Sequence, residues 1–105
     1  MTGTQQDQLS RLWDDFRRLR FPAGFIGREP EGECTALMDT MVAGCVSVAL
    51  ERHLDDRRRD DLHHRITVLR RILPSIADDE YATQYFSHLL EVAVLAAELD
   101  NARGR

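Results

Sequence analysis

Apolar residues recur with helical spacing in four segments of the chain. In the first segment, residues 5–20, the apolar side chains fall within about one third of the helix circumference, and charged residues occupy the other side. These apolar residues are Leu9, Leu12, Trp13, Phe16 and Leu19. Thr4 followed by Asp7 is typical of a helix N-cap, and Pro22 is a helix breaker. The pattern predicts an amphipathic helix that ends near Arg20.

The second segment, residues 35–54, is apolar over more than half of its circumference. Only Thr40, Ser47 and Glu51 form a narrow polar stripe, and Gly44 lies next to it. A helix that is apolar over so much of its surface is central in a fold or forms an interface. We therefore expect this helix to be buried on more than one side.

Two further helices are predicted at residues 57–73 and 79–102. Asp55 or Asp56 would cap the first of them, and Asp78 or Asp79 the second. The predicted buried positions are Leu62, Ile66, Leu69, Ile72 and Leu73, then Tyr81, Tyr85, Leu89, Val92, Ala96 and Leu99. Short turns between most of the helices predict an all-α, up-down four-helix bundle, a single domain over residues 1–105.

The segment between the first two helices is long for a compact domain. Phe21–Glu33 contains three glycines and two prolines in thirteen residues. Loops of this length are often functional, or packed by their own side chains. Phe21, Phe25 and Ile26 provide apolar anchors, so we expect the loop to be ordered.

Composition agrees with one globular domain, since 43% of the 105 residues are hydrophobic and 30% are charged. A net charge of −4 argues against general nucleic-acid affinity. All fourteen basic residues are arginines. GC-rich coding explains this bias, and selection for bidentate anion contacts is the alternative.

No segment approaches the ~20 apolar residues that span a bilayer, so no membrane association is predicted. Met1–Gln5 has no basic stretch that leads into an apolar one, and no signal peptide is therefore predicted. A cytoplasmic location follows by default.

Four short strings occur in one order along the chain: Leu12-Trp13-x-x-Phe16-Arg17, Phe21-Pro22-x-Gly24, Ala43-Gly44-Cys45-Val46-Ser47 and Leu73-Pro74. That order resembles a set of small uncharacterised all-helical proteins from GC-rich bacteria. The resemblance covers most of the chain and implies a bacterial helical protein. It implies no activity, and it favours the loop and the start of the second helix as the shared feature.

The histidines do not form a metal-binding pattern. His63 and His64 are adjacent and point about 100° apart on a helix, and the chain lacks the His-x-x-x-His and Glu-x-x-His spacings. We expect His53 and His88 to lie at the surface as well. The sequence therefore predicts no metal, no cofactor and no catalytic residue.

The two cysteines differ in their surroundings. Cys34 precedes the second helix, where the helix dipole would favour a thiolate, although Glu31 and Glu33 oppose that effect. It is either an inert thiol or a reactive one. Cys45 lies in the apolar arc and is predicted to belong to the core.

Asp39 and Arg65 are charged residues placed among apolar neighbours on their helices. Ionised groups that point at a core usually have partners. Asp39 is expected to be buried and to pair with Arg65 or with backbone N–H groups of the Phe21–Glu33 loop. The two residues form either a structural polar pair or the polar groups of a pocket, which Phe25, Tyr81 and Tyr85 would line.

The run Asp55-Asp56-Arg57-Arg58-Arg59-Asp60-Asp61 is the densest cluster of charge in the chain. Its acids would cap the third helix, and its arginines could pair with them. We expect a solvated turn, with a partner-docking patch as the alternative.

Two hypotheses for function remain. The first is a non-catalytic interaction protein, such as an adaptor, a regulator or an immunity-type binder of one protein partner. The second is a small-ligand binder or minor enzyme whose pocket lies under residues 21–33. Surplus apolar surface on the second and fourth helices predicts a homodimer through one of them.

Overall fold

A computed structural model describes residues 4–103, and within that range the chain forms four α-helices and no strand. The helices are α1 (Gln5–Arg17), α2 (Thr35–Glu51), α3 (Asp56–Ile72) and α4 (Glu80–Ala102). The predicted all-α four-helix fold is thus confirmed. Residues 1–3, which enter the prediction about a signal peptide, lie outside the described range.

Three of the helices begin at a residue whose side chain caps the helix N-terminus. The Thr4 hydroxyl accepts a hydrogen bond from the Asp7 N–H at 3.1 Å, and the Asp7 carboxylate accepts one from the Thr4 N–H at 3.4 Å. Asp55 and Asp79 each accept a backbone N–H three residues later, at 2.8 and 2.9 Å. These caps satisfy N–H groups that have no partner inside the helix. The predicted N-caps of α1, α3 and α4 are therefore confirmed.

Neighbouring helices run antiparallel. The Gln6 side chain at the start of α1 donates to the Leu50 carbonyl at the end of α2, at 2.6 Å. Asp100 at the end of α4 contacts Arg59 at the start of α3, at 2.9 Å. Because a connection of only four residues joins α2 to α3, these two helices also reverse direction. The topology is up-down, and α2 and α4 run parallel to each other.

α2 and α4 pack directly against each other, although they lie across the diagonal of the bundle. Their contact is about as extensive as the contacts of α4 with α1 and with α3. The molecule is accordingly flattened, measuring 38 × 31 × 18 Å. Among the large apolar side chains of α4, only Tyr81 is exposed. Most of the apolar surface of α4 is therefore buried inside the chain, and Leu90, Val94 and Leu95 are half-buried.

A buried carboxylate holds the connection between α2 and α3 against the end of α4. Asp100 is 1% exposed and accepts hydrogen bonds from the Leu54 N–H at 2.8 Å and from Arg59 Nε at 2.9 Å. Arg59 also donates to the Leu54 carbonyl at 2.6 Å. The prediction that the second helix reaches Leu54 is wrong, because the chain turns there and carries Leu54 into the core.

The contact between Asp100 and Arg59 distinguishes Arg59 from the rest of the charged run at residues 55–61. Most of its side chains are exposed, as predicted, but that of Arg59 is only 13% exposed. The run is therefore not a uniformly solvated turn. Arg59 is the one side chain of this segment that reaches the buried Asp100 within the described part of the chain.

The long loop between α1 and α2 is pinned at both ends. Phe21 and Phe25 pack on Phe86 of α4, with ring centroids 6.0 and 5.6 Å apart. Near α2, Glu33 pairs with Arg71 of α3 at 2.8 Å. The expectation for Ile26 is wrong, since it is 75% exposed. It follows a single helical turn whose last residue, Phe25, points inward, and the next side chain points out.

We expect Asp100→Ala to lower the free energy of unfolding by about 3–5 kcal/mol, because Arg59 would lose its buried counter-charge and the Leu54 N–H its acceptor. Urea denaturation measures this loss. Asp56→Ala is the matched control, since Asp56 also pairs with Arg59, at 2.7 Å, but its side chain is 97% exposed. That exposed pair should contribute about 0–1 kcal/mol. Equal losses in the two variants would contradict the assignment.

Candidate functional site

All seven aromatic residues of the chain form one continuous cluster at the end of the bundle that carries the long loop. Tyr85 lies at its centre, 4.8 Å from Phe16 and 5.7 Å from Phe21 between ring centroids. The remaining members are Trp13, Phe25, Tyr81 and Phe86. Edge-to-face packing of this kind adds about 0.5–1.5 kcal/mol per pair beyond burial.

This cluster fills the space beneath the loop, where a pocket was hypothesised. Phe25 is 1% exposed and Tyr85 is 4% exposed, and both contact Phe86. Tyr81 is exposed and donates a hydrogen bond to the Arg20 carbonyl at 2.6 Å, which ties α4 to the start of the loop. The predicted pocket-lining residues thus come together, but as packed rings.

Asp39 is held by a tyrosine. The Tyr85 hydroxyl donates to the Asp39 carboxylate at 2.5 Å, which joins the first half of α2 to the first half of α4. Asp39 is half-buried, and burial raises the pKa of its carboxyl, while the hydrogen bond from Tyr85 lowers it by less. Burial and the adjacent carboxylate raise the pKa of Tyr85. Tyr85 is thus a neutral hydrogen-bond donor, and the partly desolvated carboxyl group of Asp39 accepts its hydrogen bond.

The predicted partners of Asp39 are therefore wrong, and Arg65 has its own. Arg65 Nε lies 3.3 Å from the Asp61 carboxylate one turn earlier on α3. Cys45 marks the side of α2 that faces α3, because its thiol donates to the Arg58 carbonyl at 3.5 Å. Six residues separate Asp39 from Cys45, which is about 120° around a helix. Asp39 consequently faces α4 rather than α3.

The cysteines lie where the sequence predicts. Cys34 is an exposed free thiol immediately before α2, and Cys45 is 3% exposed in the core. Burial, followed by the nearby Asp61 carboxylate, raises the pKa of the Cys45 thiol. Its neutral form is therefore favoured, as suits a core residue. A reactive role for Cys34 stays a prediction.

One face of α2 is apolar and open to solvent. Leu37 is 51% exposed and Met41, one turn later, is 37% exposed. Gly44 follows a further turn on, and a Cβ built there would meet nothing within 4 Å. These three residues are called the α2 strip below. The strip lies on the side of α2 opposite to its contact with α4.

A groove runs alongside the α2 strip, between α2 and the first half of α3. Its volume is about 680 Å³, and Met41, Gly44 and Cys45 form its apolar floor. The rim carries charges of both signs, from Asp55, Arg57, Arg58, Asp60 and Asp61, together with the imidazole of His64. Some of these neutralise each other, since Arg58 pairs with Asp55 at 2.8 Å. An apolar floor with a polar rim suits an apolar side chain of a protein partner.

Histidines, cysteines and acids do not converge on a common point in residues 4–103, where no group of three could hold a metal ion. His53, His63 and His64 are exposed, as predicted. His88 is half-buried and packs edge-on against Phe16, at 6.0 Å between ring centroids.

Sequence reasoning missed the contact between Asp100 and Arg59. One signal was present: Asp100 follows Ala93 and Ala96 by seven and four residues, so it lies on the buried face of α4. An ionised group on such a face needs a partner. The groove between α2 and α3 could not be predicted, because two helices form its walls. The sequence does not indicate how these helices are rotated relative to each other.

Comparison with protein-family models, with curated proteins and with solved structures finds no significant match to this chain. The resemblance to helical proteins from GC-rich bacteria therefore stays a prediction. Within the described residues, none of the helices is both long and apolar enough to cross a membrane.

The hydrogen bond between Tyr85 and Asp39 can be tested by a double-mutant cycle. Tyr85→Phe should lower the free energy of unfolding by about 1–3 kcal/mol, because a half-buried carboxylate loses its donor. Tyr85→Phe and Asp39→Ala should show coupling in urea denaturation, whereas Asp39→Ala and Arg65→Met should be additive. Coupling to Arg65 with none to Tyr85 would contradict the geometry.

A separate prediction concerns pH. Because burial raises the pKa of Asp39 above its ordinary value of 3.8, the folded state binds this proton more tightly than the unfolded state does. This contribution to stability is fully present below pH 3.8 and is lost as the pH rises through the raised value. The stability of the wild type relative to Asp39→Asn should therefore increase on acidification. A difference that does not change with pH would argue against burial of this carboxyl.

Proposed function

We propose that the protein is a non-catalytic interaction protein that binds one protein partner and forms a homodimer through the α2 strip. The observation that carries the proposal is the exposure of Leu37 and Met41 on a helix that is otherwise packed into the core. Full burial of a leucine or methionine side chain stabilises a structure by about 1.5–3 kcal/mol relative to exposure. Association would recover part of this free energy in each copy.

Gly44 supports a contact between two copies of α2. The space around its Cα is empty, so the backbone of a second helix can approach closely there. In a two-fold arrangement the same surface serves both copies. If two α2 helices cross near Gly44, Met41 of each copy lies beside the crossing point. The apolar floor of the neighbouring groove would extend that contact.

The choice of α2 over α4 follows from where each apolar surface goes. α4 contacts the other three helices, and its large apolar side chains other than Tyr81 are buried or half-buried. A dimer through α2 uses a side that α4 and α3 leave open, since Asp39 and Cys45 place these two helices on other sides of α2. The small-ligand alternative has less support, because aromatic rings fill the space under residues 21–33.

Light scattering at micromolar concentration should give twice the chain mass of 12.1 kDa. Gly44→Glu should yield a monomer, because a charged side chain at the crossing point blocks close approach. Gly44→Ala in the same helix should raise the monomer's free energy of unfolding by about 1 kcal/mol. Ile26→Gln, an exposed apolar site outside the strip, is the control that should stay dimeric. A monomeric wild type would refute the dimer.

A further inference from the structure

Four exposed arginines cluster in the segment that joins α1 to the long loop. They are Arg17, Arg18, Arg20 and Arg28, and residues 16–28 contain no acidic residue, although the chain as a whole carries −4. These four residues are called the arginine segment below. No other stretch of the chain without an acidic residue contains as many arginines.

The arginine segment makes no ion pair in the described part of the chain, although Asp14, Asp15 and Glu29 border it in sequence. None of its four guanidinium groups lies within ion-pair distance of a carboxylate in residues 4–103. By contrast, Arg58, Arg59, Arg65 and Arg71 all pair with acids. The fold thus uses several of its other arginines for internal pairs, whereas these four have none within the described residues.

The fold also holds the segment in a defined shape. The Arg20 carbonyl accepts the Tyr81 hydroxyl at 2.6 Å. The Arg28 guanidinium lies 4.3 Å above the ring of Phe25, which is 1% exposed and therefore fixed in the core. A charged group that is already positioned pays less entropy when it binds.

Two exposed apolar side chains lie among these arginines. Ile26 is 75% exposed and Leu19 is 37% exposed, and each is within two residues of an arginine of the segment. Protein interfaces commonly combine apolar side chains at the centre with a polar rim, and arginine is enriched in them. The combination favours a ligand that offers both carboxylates and apolar side chains.

We propose that the arginine segment binds an acidic segment of a protein partner. In that partner segment, carboxylates alternate with apolar side chains such as leucine. The guanidinium group suits carboxylates, which it binds with two parallel hydrogen bonds. The proposal rests on the proposed function and names the chemistry of its partner. A narrow peptide is favoured over a lipid surface or a nucleic acid, because a broad anionic surface would also meet the acids that give the chain its net negative charge.

Fluorescence anisotropy tests the proposal with a labelled peptide that alternates glutamates with leucines. We expect saturable binding that weakens as salt is added. Arg20→Gln combined with Arg28→Gln should weaken it by about tenfold or more, which corresponds to about 1.4 kcal/mol. Ile26→Ser should weaken it as well. The matched control is Arg11→Gln combined with Arg70→Gln, which removes two exposed arginines elsewhere that also lack an ion pair.

Equal weakening in the control variant would overturn the proposal, because binding would then reflect overall charge. Absence of peptide binding would overturn it too, as would a preference for phosphatidylglycerol vesicles over the peptide. If the double variant is unstable in urea, peptide binding is measured instead with Arg18→Gln. This single substitution should also weaken binding. Light scattering separates the two proposals: a dimer that ignores the peptide refutes only this inference, and a monomer that binds it refutes only the dimer.

Discussion

The parallel packing of α2 against α4 is the contact on which the rest of this fold depends. In a square bundle these two helices would sit at opposite corners and touch little. Here they meet across the diagonal, which flattens the molecule and makes α4 the neighbour of every other helix. The broad apolar surfaces of both helices follow from this arrangement, since each must be covered on more than one side.

α4 is held at the two ends of the bundle by different kinds of interaction. At the end with the long loop, aromatic rings surround Tyr85, whose hydroxyl reaches Asp39. At the other end, the buried Asp100 gathers Arg59 and the backbone of Leu54. Aromatic packing tolerates small adjustments, whereas a buried ion pair requires its partners in place. The face of α2 that neither end uses is the one that carries Leu37 and Met41.

Helices and their starts could be predicted from the sequence because those signals are local. The spacing of apolar residues located all four helices, and Thr4, Asp55 and Asp79 marked three of their starts. Contacts between helices could not be predicted in the same way. The sequence indicates the direction in which Asp39 points from its helix, but it does not indicate which helix lies there. The predicted partner was therefore Arg65, whereas the structure shows Tyr85. Ile26 was misplaced because irregular backbone has no periodicity.

The position of α4 along the chain has a consequence for the order of folding. The helix that contacts all the others comes fourth, so α1, α2 and α3 precede the surface on which most of their burial depends. The contact between Phe16 and Tyr85 spans 69 residues of sequence, and closing so large a loop costs more entropy than forming a hairpin of adjacent helices. The α2–α3 and α3–α4 hairpins are the least costly to close, and α1 is the natural last element to dock. The contacts between α1 and α4 therefore raise the contact order above that of a bundle held together only by hairpins of adjacent helices.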